Sequence, residues 1–192
     1  MSTKRTVQLT ALVVVIVVAI MVLSQYPLGS VLSLPGCTPS SATGITFIIA
    51  LDRDQAVKAA YNIGPIPATL LIDREGVVRG RKVGALLSKD AMTGWLDDVT
   101  SGPATTPLPG VAPEIGHMAP DFTLPTLDGG TVTLSQLRQQ WVLLSFWTTR
   151  CTWCVRQMPY LQAAFEERGD EIQFIAINLG ESEARVRGFL GG

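Results

Sequence analysis

The chain has 192 residues, the length of one ordinary domain with extensions. Its 15 Lys and Arg residues nearly balance its 16 Asp and Glu residues, so the composition gives no basic surface for nucleic acid. Three cysteines are too few for a disulfide-rich scaffold. Nucleic-acid binding and a disulfide scaffold are therefore excluded, and the question becomes whether two of the cysteines form a reactive pair.

An apolar run from Val7 to Leu23 predicts a membrane anchor within residues 1–24. A bilayer core needs about 20 apolar residues in a helix, so the run is just long enough. Lys4 and Arg5 precede it, and no positive charge follows before Arg53, which predicts a cytoplasmic N-terminus. We therefore predict a single-pass protein of the cell membrane with its remaining residues outside. A cleaved signal peptide is the alternative.

Two stretches rich in small residues and proline separate the anchor from two blocks that are predicted to fold. Residues 25–44 form a spacer, and residues 102–118 form a proline-rich linker. Cys37 in the spacer follows a sequence similar to a lipoprotein attachment site, so lipidation is an alternative to a cysteine with no special role. The lone histidine, His117, is predicted to be solvated within the linker, without a partner.

The first block, residues 45–101, begins with a predicted strand at Ile45–Leu51. Asp54 is expected to cap a short helix. Two further strands are separated by a charged hairpin turn, and Ser88 is expected to begin a second helix. The apolar face of the short helix is predicted from its spacing, and it comprises Ala56, Val57, Ala60 and Tyr61. The strands are predicted at Ala68–Asp73 and Val77–Val83.

The second block, residues 119–192, begins with a predicted hairpin that turns at residues 128–130. A nearly continuous apolar run, Trp141–Trp147, predicts a strand covered on both faces. A helix from Cys151, a buried strand at Ile172–Leu179 and a short helix at Ser182–Leu190 follow. Strands that alternate with helices predict an α/β layer fold.

The sequence Cys151-Thr152-Trp153-Cys154 lies directly after a predicted buried strand and at the start of a helix. Free N–H groups and the helix dipole favour a thiolate at the first sulfur, and Arg150 adds a positive charge. The spacing lets the second sulfur close a disulfide with the first. Cys151 would thus attack a substrate disulfide, and Cys154 would resolve the mixed disulfide.

Other interpretations of the cysteine pair are weaker. A zinc site needs four ligands, and only Cys37 and His117 remain, both in predicted spacers. A structural disulfide of this spacing would constrain the unfolded chain little. We predict neither a metal nor a cofactor.

Four further segments are informative beside the cysteine pair: Ala119–Leu124, Phe146-Trp147 (three residues before Cys151), Met158-Pro159 and Gly64–Asp73. They resemble the thioredoxin superfamily, in particular the membrane-tethered TlpA- and ResA-like branch and its relatives among the AhpC/TSA redoxins. The resemblance implies a central mixed sheet flanked by helices, and a cis-proline at Pro67 packed opposite the cysteines. It implies that the backbone of Ile66 pairs with an extended substrate segment; a plain turn proline is the alternative at position 67.

The chain order departs from that family, in which the cis-proline block follows the cysteine block. The simplest interpretation is a circular permutation, in which the linker at 102–118 joins the old C-terminal helix to the old first strand. A linker of this length reaches roughly 50 Å, more than the diameter of a small domain. The alternative is two half-domains that need a partner, as in a swapped dimer.

The site also departs from the family. Ser145 stands where thioredoxin has a buried aspartate, and Thr152-Trp153 lacks the glutamate of ResA-type proteins. We therefore expect no carboxylate to carry a proton to Cys154, and water to do so instead.

These features predict a thiol–disulfide oxidoreductase that acts on extracytoplasmic protein disulfides, with electrons from a thiol-transfer donor in the membrane. By resemblance, its clients include apocytochrome c during cytochrome c maturation, or a copper-site assembly protein. A thiol peroxidase is an alternative, for which Thr148 fits the family pattern and Leu144 does not. An inactive rearranged fragment is the other.

Overall fold

A computed structural model of the chain describes residues 44–103 and 106–191. The predicted anchor, nearly all of the spacer at 25–44 and Cys37 lie outside the described residues. Within the two described ranges, every helix is too short or too polar to cross a membrane.

The first block forms strand β1 (Ile48–Asp52), helix α1 (Ala56–Ala60), the hairpin β2 (Ala68–Ile72) and β3 (Val78–Val83), and helix α2 (Lys89–Thr100). The order of elements is as the sequence predicts, and their ends differ by up to three residues. Gly76 has φ +85°, a left-handed conformation that suits glycine in the hairpin turn. The Ser88 hydroxyl accepts the N–H of Ala91 at 3.0 Å and so caps α2 as expected.

The predicted cap and apolar face of α1 are wrong in detail. Asp54 accepts only the N–H of Ala56, at 3.1 Å. The buried carboxylate of Asp52 accepts the next two backbone N–H groups, that of Val57 at 3.2 Å and that of Lys58 at 2.8 Å. Strand β1 ends beneath the first turn of the helix, so Asp52 reaches those groups first. Of the four predicted apolar positions, Val57 and Tyr61 are buried, while Ala56 and Ala60 are exposed.

The linker is more ordered than its composition predicts. Strands β4 (Leu108–Val111) and β5 (His117–Met118) pair in parallel, and backbone bonds tie the linker to the β2–β3 hairpin. The N–H of Gly116, for example, donates to the carbonyl of Val78 at 2.8 Å. The prediction of a solvated His117 without a partner is wrong. It is half-buried, and its Nδ1 lies 3.2 Å from the carbonyl oxygen of Pro109.

The second block forms the predicted hairpin and the predicted alternation of strands and helices. Its elements are β6 (Thr123–Pro125), β7 (Thr131–Thr133), a 3₁₀ helix (Leu134–Leu137), β8 (Trp141–Trp147), α3 (Thr152–Arg168), β9 (Ile172–Leu179) and α4 (Glu183–Gly191). The bounds of β8 and β9 are those that the apolar runs predict.

Strands from both blocks lie in one five-stranded sheet, in the order β1-β9-β8-β2-β3. Strand β9 pairs in parallel with β1 and β8, while β2 runs antiparallel to β8 and β3. The first block therefore supplies strands on both sides of the β8–β9 pair. Pairing of Leu70 with Leu144 is one contact that joins the blocks through the middle of the sheet.

The sheet has an apolar core on each face. Helices α2, α3 and α4 cover one face, where Leu143 and Trp147 of β8 are buried. Helix α1, the β6–β7 hairpin and the 3₁₀ helix cover the other, where Val142, Leu144 and Phe146 are buried. This alternation explains why β8 has apolar residues at nearly every position. The predicted α/β fold, with a central mixed sheet and flanking helices, is confirmed.

Candidate active site

The cysteine pair lies at the N-terminus of α3, at the end of β8. Cys151 occupies the N-cap position and forms a disulfide with Cys154, and their Cα atoms are 5.2 Å apart. The N–H of Cys154 donates to Sγ of Cys151 at 3.1 Å. Cys151 is half-buried, whereas Cys154 is only 1% exposed. An incoming group can therefore reach the first sulfur but not the second.

The loop before β2 lies against the first sulfur. The peptide bond between Ile66 and Pro67 is cis, and the carbonyl oxygen of Ile66 lies 3.7 Å from Sγ of Cys151. Pro67 is buried, and its carbonyl accepts the N–H of Gly84 at 2.9 Å. Among the described residues, the N–H of Ile66 has no hydrogen-bond partner. The edge of this loop thus offers an open backbone donor next to the reachable sulfur.

Trp147 and Arg150 flank the cysteines in different ways. Trp147 is fully buried and its ring centroid lies 5.9 Å from that of Phe189 on α4, so it supports the loop from within the core. Within the described ranges, its indole nitrogen finds no partner. The side chain of Arg150 is 74% exposed, with its Nε 3.6 Å from a carboxylate oxygen of Glu181.

Glu181 is a buried carboxylate beneath the loop that leads to Cys151, and the sequence analysis missed it. It is 5% exposed and accepts the N–H and the hydroxyl of Thr149, each at 2.7 Å. Asn178 donates to it at 2.9 Å, and Arg185 donates to it at 3.0 Å. One carboxylate thus fixes the loop and pairs with the cation next to Cys151.

These contacts keep Glu181 ionised. Burial by itself would raise its pKa, but the N–H of Thr149, the amide of Asn178, the Thr149 hydroxyl and the charge of Arg185 outweigh burial and lower the pKa below its usual range. The position of this residue becomes predictable once the pairing of β8 with β9 is known. Parallel neighbouring strands end at the same edge of a sheet, so residues just after β9 lie beside residues just after β8.

A buried amide lies behind the second cysteine. Gln157 of α3 accepts the N–H of Leu86 at 2.8 Å. Its amide nitrogen lies 3.4 Å from the hydroxyl of Ser145 and 3.5 Å from that of Thr69. Ser145, which replaces the aspartate expected from the thioredoxin pattern, therefore belongs to a neutral polar group. It supplies no proton donor of carboxylic type.

The structure brings together Cys151, Cys154, Ile66, Pro67 and Arg150, with Trp147 beneath them. Of the two positions weighed for peroxide chemistry, Leu144 lies within β8 and is buried in the core beneath α1 and the β6–β7 hairpin. Within the described part of the chain, no group of three His, Cys, Asp or Glu side chains could hold a metal ion.

Comparison with known proteins gives matches over part of the chain. Residues 115–190 match the AhpC/TSA family. Thioredoxin-like protein YneN of Bacillus subtilis (strain 168) is 38% identical over 77 residues, which cover 38% of this chain and 45% of that protein.

Two proteins named thiol-disulfide oxidoreductase ResA match over a similar length. That of Geobacillus thermodenitrificans (strain NG80-2) is 40% identical over 78 residues, covering 39% of this chain and 44% of that protein. That of Bacillus subtilis (strain 168) is 33% identical over 76 residues, covering 39% and 42%. The chain thus spans less than half the length of these relatives. No solved structure matches the chain significantly.

Proposed function

We propose that the protein is a thiol–disulfide oxidoreductase that reduces or exchanges disulfides of extracytoplasmic proteins through Cys151 and Cys154. One observation carries the proposal: Sγ of Cys151 lies 3.7 Å from the carbonyl oxygen of Ile66, in the cis-proline loop. The match of residues 115–190 to the AhpC/TSA family and the similarity of part of the chain to ResA proteins support the same chemistry.

The reaction begins from the reduced dithiol. Sγ of Cys151 is stabilised as a thiolate by the N–H of Cys154 and by the N-terminus of the 17-residue helix α3. The thiolate attacks one sulfur of a substrate disulfide, and the other sulfur leaves as a thiolate. Cys154 then attacks Sγ of Cys151, which releases the second substrate thiol. Two electrons pass to the substrate, and the enzyme ends as the disulfide.

The backbone of Ile66 positions the substrate. Its N–H is open, and its carbonyl oxygen faces Cys151, so an extended peptide can pair with this edge as an added strand. Pairing there would hold the substrate sulfur next to the half-buried Cys151 and away from the buried Cys154. The order of attack follows from this difference in access.

Glu181 is a positioning residue in this scheme and not a proton carrier. Its lowered pKa keeps it ionised near neutral pH, so it has no proton to give to Cys154. Its bonds to Thr149 instead hold the loop that presents Cys151. Water is then the proton source for Cys154 and for the leaving thiolates.

The arrangement of the blocks supports a circularly permuted thioredoxin-like domain. In this proposal, the first block supplies the cis-proline half and the second supplies the cysteine half, with the linker joining them. Strand β9 lying between β1 and β8 is the feature that favours completion within one chain. Exchange of halves between two chains is the alternative, and the concentration dependence of the molecular mass would reveal it.

The apolar run Val7–Leu23 and the lysine and arginine before it support attachment to the cell membrane with an outward-facing domain. A thiol-transfer protein in the same membrane would then re-reduce the disulfide. Cytochrome c maturation is the process that the family resemblance favours, with a disulfide between the haem-binding cysteines of the apoprotein as the substrate.

Insulin reduction tests the proposal. We expect reduced protein to cleave insulin disulfides with dithiothreitol as the electron source, and the Cys151 thiol to be alkylated with a pKa below the usual value of about 8.5. A Cys37→Ser background isolates the pair. A pKa at or above that value, together with no insulin reduction, contradicts the proposal. Rapid consumption of peroxide with a sulfenic acid trapped on Cys151 would instead favour a thiol peroxidase.

A further inference from the structure

Three arginines lie on or beside the segments that flank Cys151. Arg150 directly precedes Cys151, and its side chain is 74% exposed. Arg156 lies on the exposed side of α3, where its guanidinium carbon is 4.9 Å from the centre of the Trp153 ring. Arg185 of α4 is about half-exposed beside the same loop, within hydrogen-bond distance of Thr149. Trp153 itself is 53% exposed between the two cysteines.

Asp52 ends β1 and Asp54 follows it at this end of the sheet, but within the described part of the chain neither pairs with any of the three arginines. Glu181 is the carboxylate that pairs with Arg150 and Arg185, and it is buried. Glu183, further along the chain, is shared between Arg53 and Arg187. The loop at residues 62–67 and the segment 84–88 carry no charged side chain. Within the described part of the chain, no carboxylate pairs with Arg156.

The other ion pairs of α3 lie far from the cysteines. Lys89 pairs with Glu167, and Arg168 pairs with Asp97 and Glu171, all at the C-terminal end of the helix. Among the described residues, Glu181 is the one carboxylate that pairs with any of the three arginines near Cys151, so positive charge exceeds paired negative charge next to this sulfur. This excess stands on a chain whose formal net charge is −1, so it is a local feature of the site.

We propose that the dithiol selects client disulfides flanked by acidic residues. The inference rests on the proposed function and names its substrate class. The client is a protein segment that lies extended along the Ile66 edge, with Asp or Glu next to its cysteine. Those carboxylates meet Arg150 and Arg156, while the exposed ring of Trp153 covers the apolar part of the segment.

The physical effect falls mainly on association. Complementary charge across an exposed interface raises the rate of encounter and suppresses partners of like charge, whereas its contribution to affinity is modest. Salt screens such charges over about 8 Å at physiological ionic strength and about 3 Å at 1 M. A preference of this origin therefore fades as salt rises, which separates it from a preference that depends on shape.

Two matched peptides test the inference. Each contains one disulfide and the same sequence, except that the residues flanking one cysteine are Asp in the first and Lys in the second. The full chain carrying Cys37→Ser is pre-reduced, freed of reductant, and mixed with each peptide under single-turnover conditions. We expect kcat/KM for the acidic peptide to exceed that for the basic peptide by about tenfold at low salt, and the ratio to approach one at 1 M salt.

Variants assign the preference to the arginines. The double variant Arg150→Gln with Arg156→Gln should bring the ratio close to one. The matched control is Arg74→Gln, which removes an exposed arginine from the β2–β3 turn at the opposite end of the sheet. It should leave the ratio unchanged. A thermal unfolding curve for each variant confirms that the domain is folded.

The outcomes separate the two proposals. Equal rates for both peptides at low salt overturn the inference and leave the oxidoreductase proposal in place. A preference that survives in the double variant or at 1 M salt also overturns it. Failure to reduce either peptide overturns the proposed function and, with it, this inference.

Discussion

Both blocks of the chain contribute strands to the sheet, but only one of them is recognisably similar to known proteins. Residues 119–191 supply both cysteines, and the match to the AhpC/TSA family lies almost entirely there, at residues 115–190. Residues 45–101 contribute three of the five strands and the Ile66–Pro67 loop. Neither block holds the candidate site alone, because the nucleophile comes from one and the substrate edge from the other.

The comparison shows that a block similar to known proteins need not contain the whole sheet or the whole candidate site. The second block by itself would present a cysteine pair on a two-stranded β8–β9 core, with its partners β1 and β2 missing. Its apolar faces, including Leu144 and Ile175, are buried against residues of the first block. The site therefore depends on tertiary contacts between the two blocks. Substitutions in each block can test whether the reactivity of Cys151 depends on those contacts.

The largest expected effect is confined to the second block. Cys151→Ser should lower insulin reduction by roughly 1,000-fold or more, because no other reachable thiolate lies on the Ile66 edge. Cys154→Ser should instead accumulate a mixed disulfide between Cys151 and the substrate, since the resolving thiol is gone. Mass spectrometry of the trapped species measures this. If Cys154→Ser traps no adduct, or the trapped sulfur is not Cys151, the assigned roles are wrong.

The second largest effect is a loss of stability at a contact that joins the two blocks. Leu70 and Leu144 are fully buried and pair across β2 and β8. Replacing either by alanine should destabilise the protein by about 2–5 kcal/mol, through lost burial and the cavity that remains. Because both blocks share the sheet, each variant should shift one cooperative calorimetric transition. Ile115→Ala, at an exposed linker position, is the control and should change stability by less than about 0.5 kcal/mol.

Two separate transitions, with only one of them shifted by each leucine variant, would mean that the blocks unfold independently. The site would then lack the rigid support that the proposed function requires.

A smaller effect is expected at Glu181, whose side chain contacts Thr149, Arg150, Asn178 and Arg185, all of the second block. Glu181→Gln keeps the shape and removes a negative charge beside Arg150 and Arg185. The remaining positive charge should lower the Cys151 pKa by about half a unit to one unit. Thr149→Val is the matched variant, because it removes one hydrogen bond to Glu181 and no charge. Alkylation rates across pH measure both. A rise of the pKa toward the value of a solvated thiol in Glu181→Gln would show that the carboxylate acts only by holding the loop.

We also expect Glu181→Gln to change how the stability of the protein depends on pH in acid. The pKa of Glu181 is lowered in the folded state, so its contribution is present above the unfolded value of about 4.5 and is lost as pH falls through the lower, folded value. The wild type should therefore lose stability more steeply than Glu181→Gln below about pH 4.5. Urea unfolding at several pH values measures the two slopes, and equal slopes would contradict the ionised state assigned to this residue.

The smallest effect lies in the first block and away from the cysteines. Ser88→Ala removes the cap of α2 and should cost about 1 kcal/mol of stability. It should leave the Cys151 pKa unchanged, since the cap touches no residue of the site. A shifted Cys151 pKa in this variant would mean that the site responds to any loss of stability. The pKa shift in Glu181→Gln could then not be attributed to the lost charge.

Sequence patterns predicted the elements whose periodicity is strong. The apolar runs of β8 and β9 and the serine cap of α2 are local signals, and the structure agrees with them closely. The cap of α1 was misassigned to Asp54 because spacing along the chain cannot show that Asp52 lies beneath the first helical turn. The ordered linker was missed for a similar reason, since its bonds to the β2–β3 hairpin are made by backbone groups that leave no composition signal.

At the site, the sequence predicted that Cys151 and Cys154 lie between a buried strand and a helix and can form a disulfide, because this pattern is locally defined. Glu181 was not, because its role comes from the parallel pairing of β8 with β9, which places residues 149 and 181 together across 32 positions of sequence. A sheet order can be used for such inferences only once the pairing is known.

One redox titration tests the central claim most directly. The Cys37→Ser protein is equilibrated with glutathione buffers, and the oxidation state of Cys151 and Cys154 is measured by mass after alkylation, once under native conditions and once in denaturant. We predict a single two-electron transition whose native midpoint differs clearly from the denatured one, because the N-terminus of α3 and the Ile66 loop act on the pair only when both blocks are assembled. Identical midpoints in the two conditions would contradict the account.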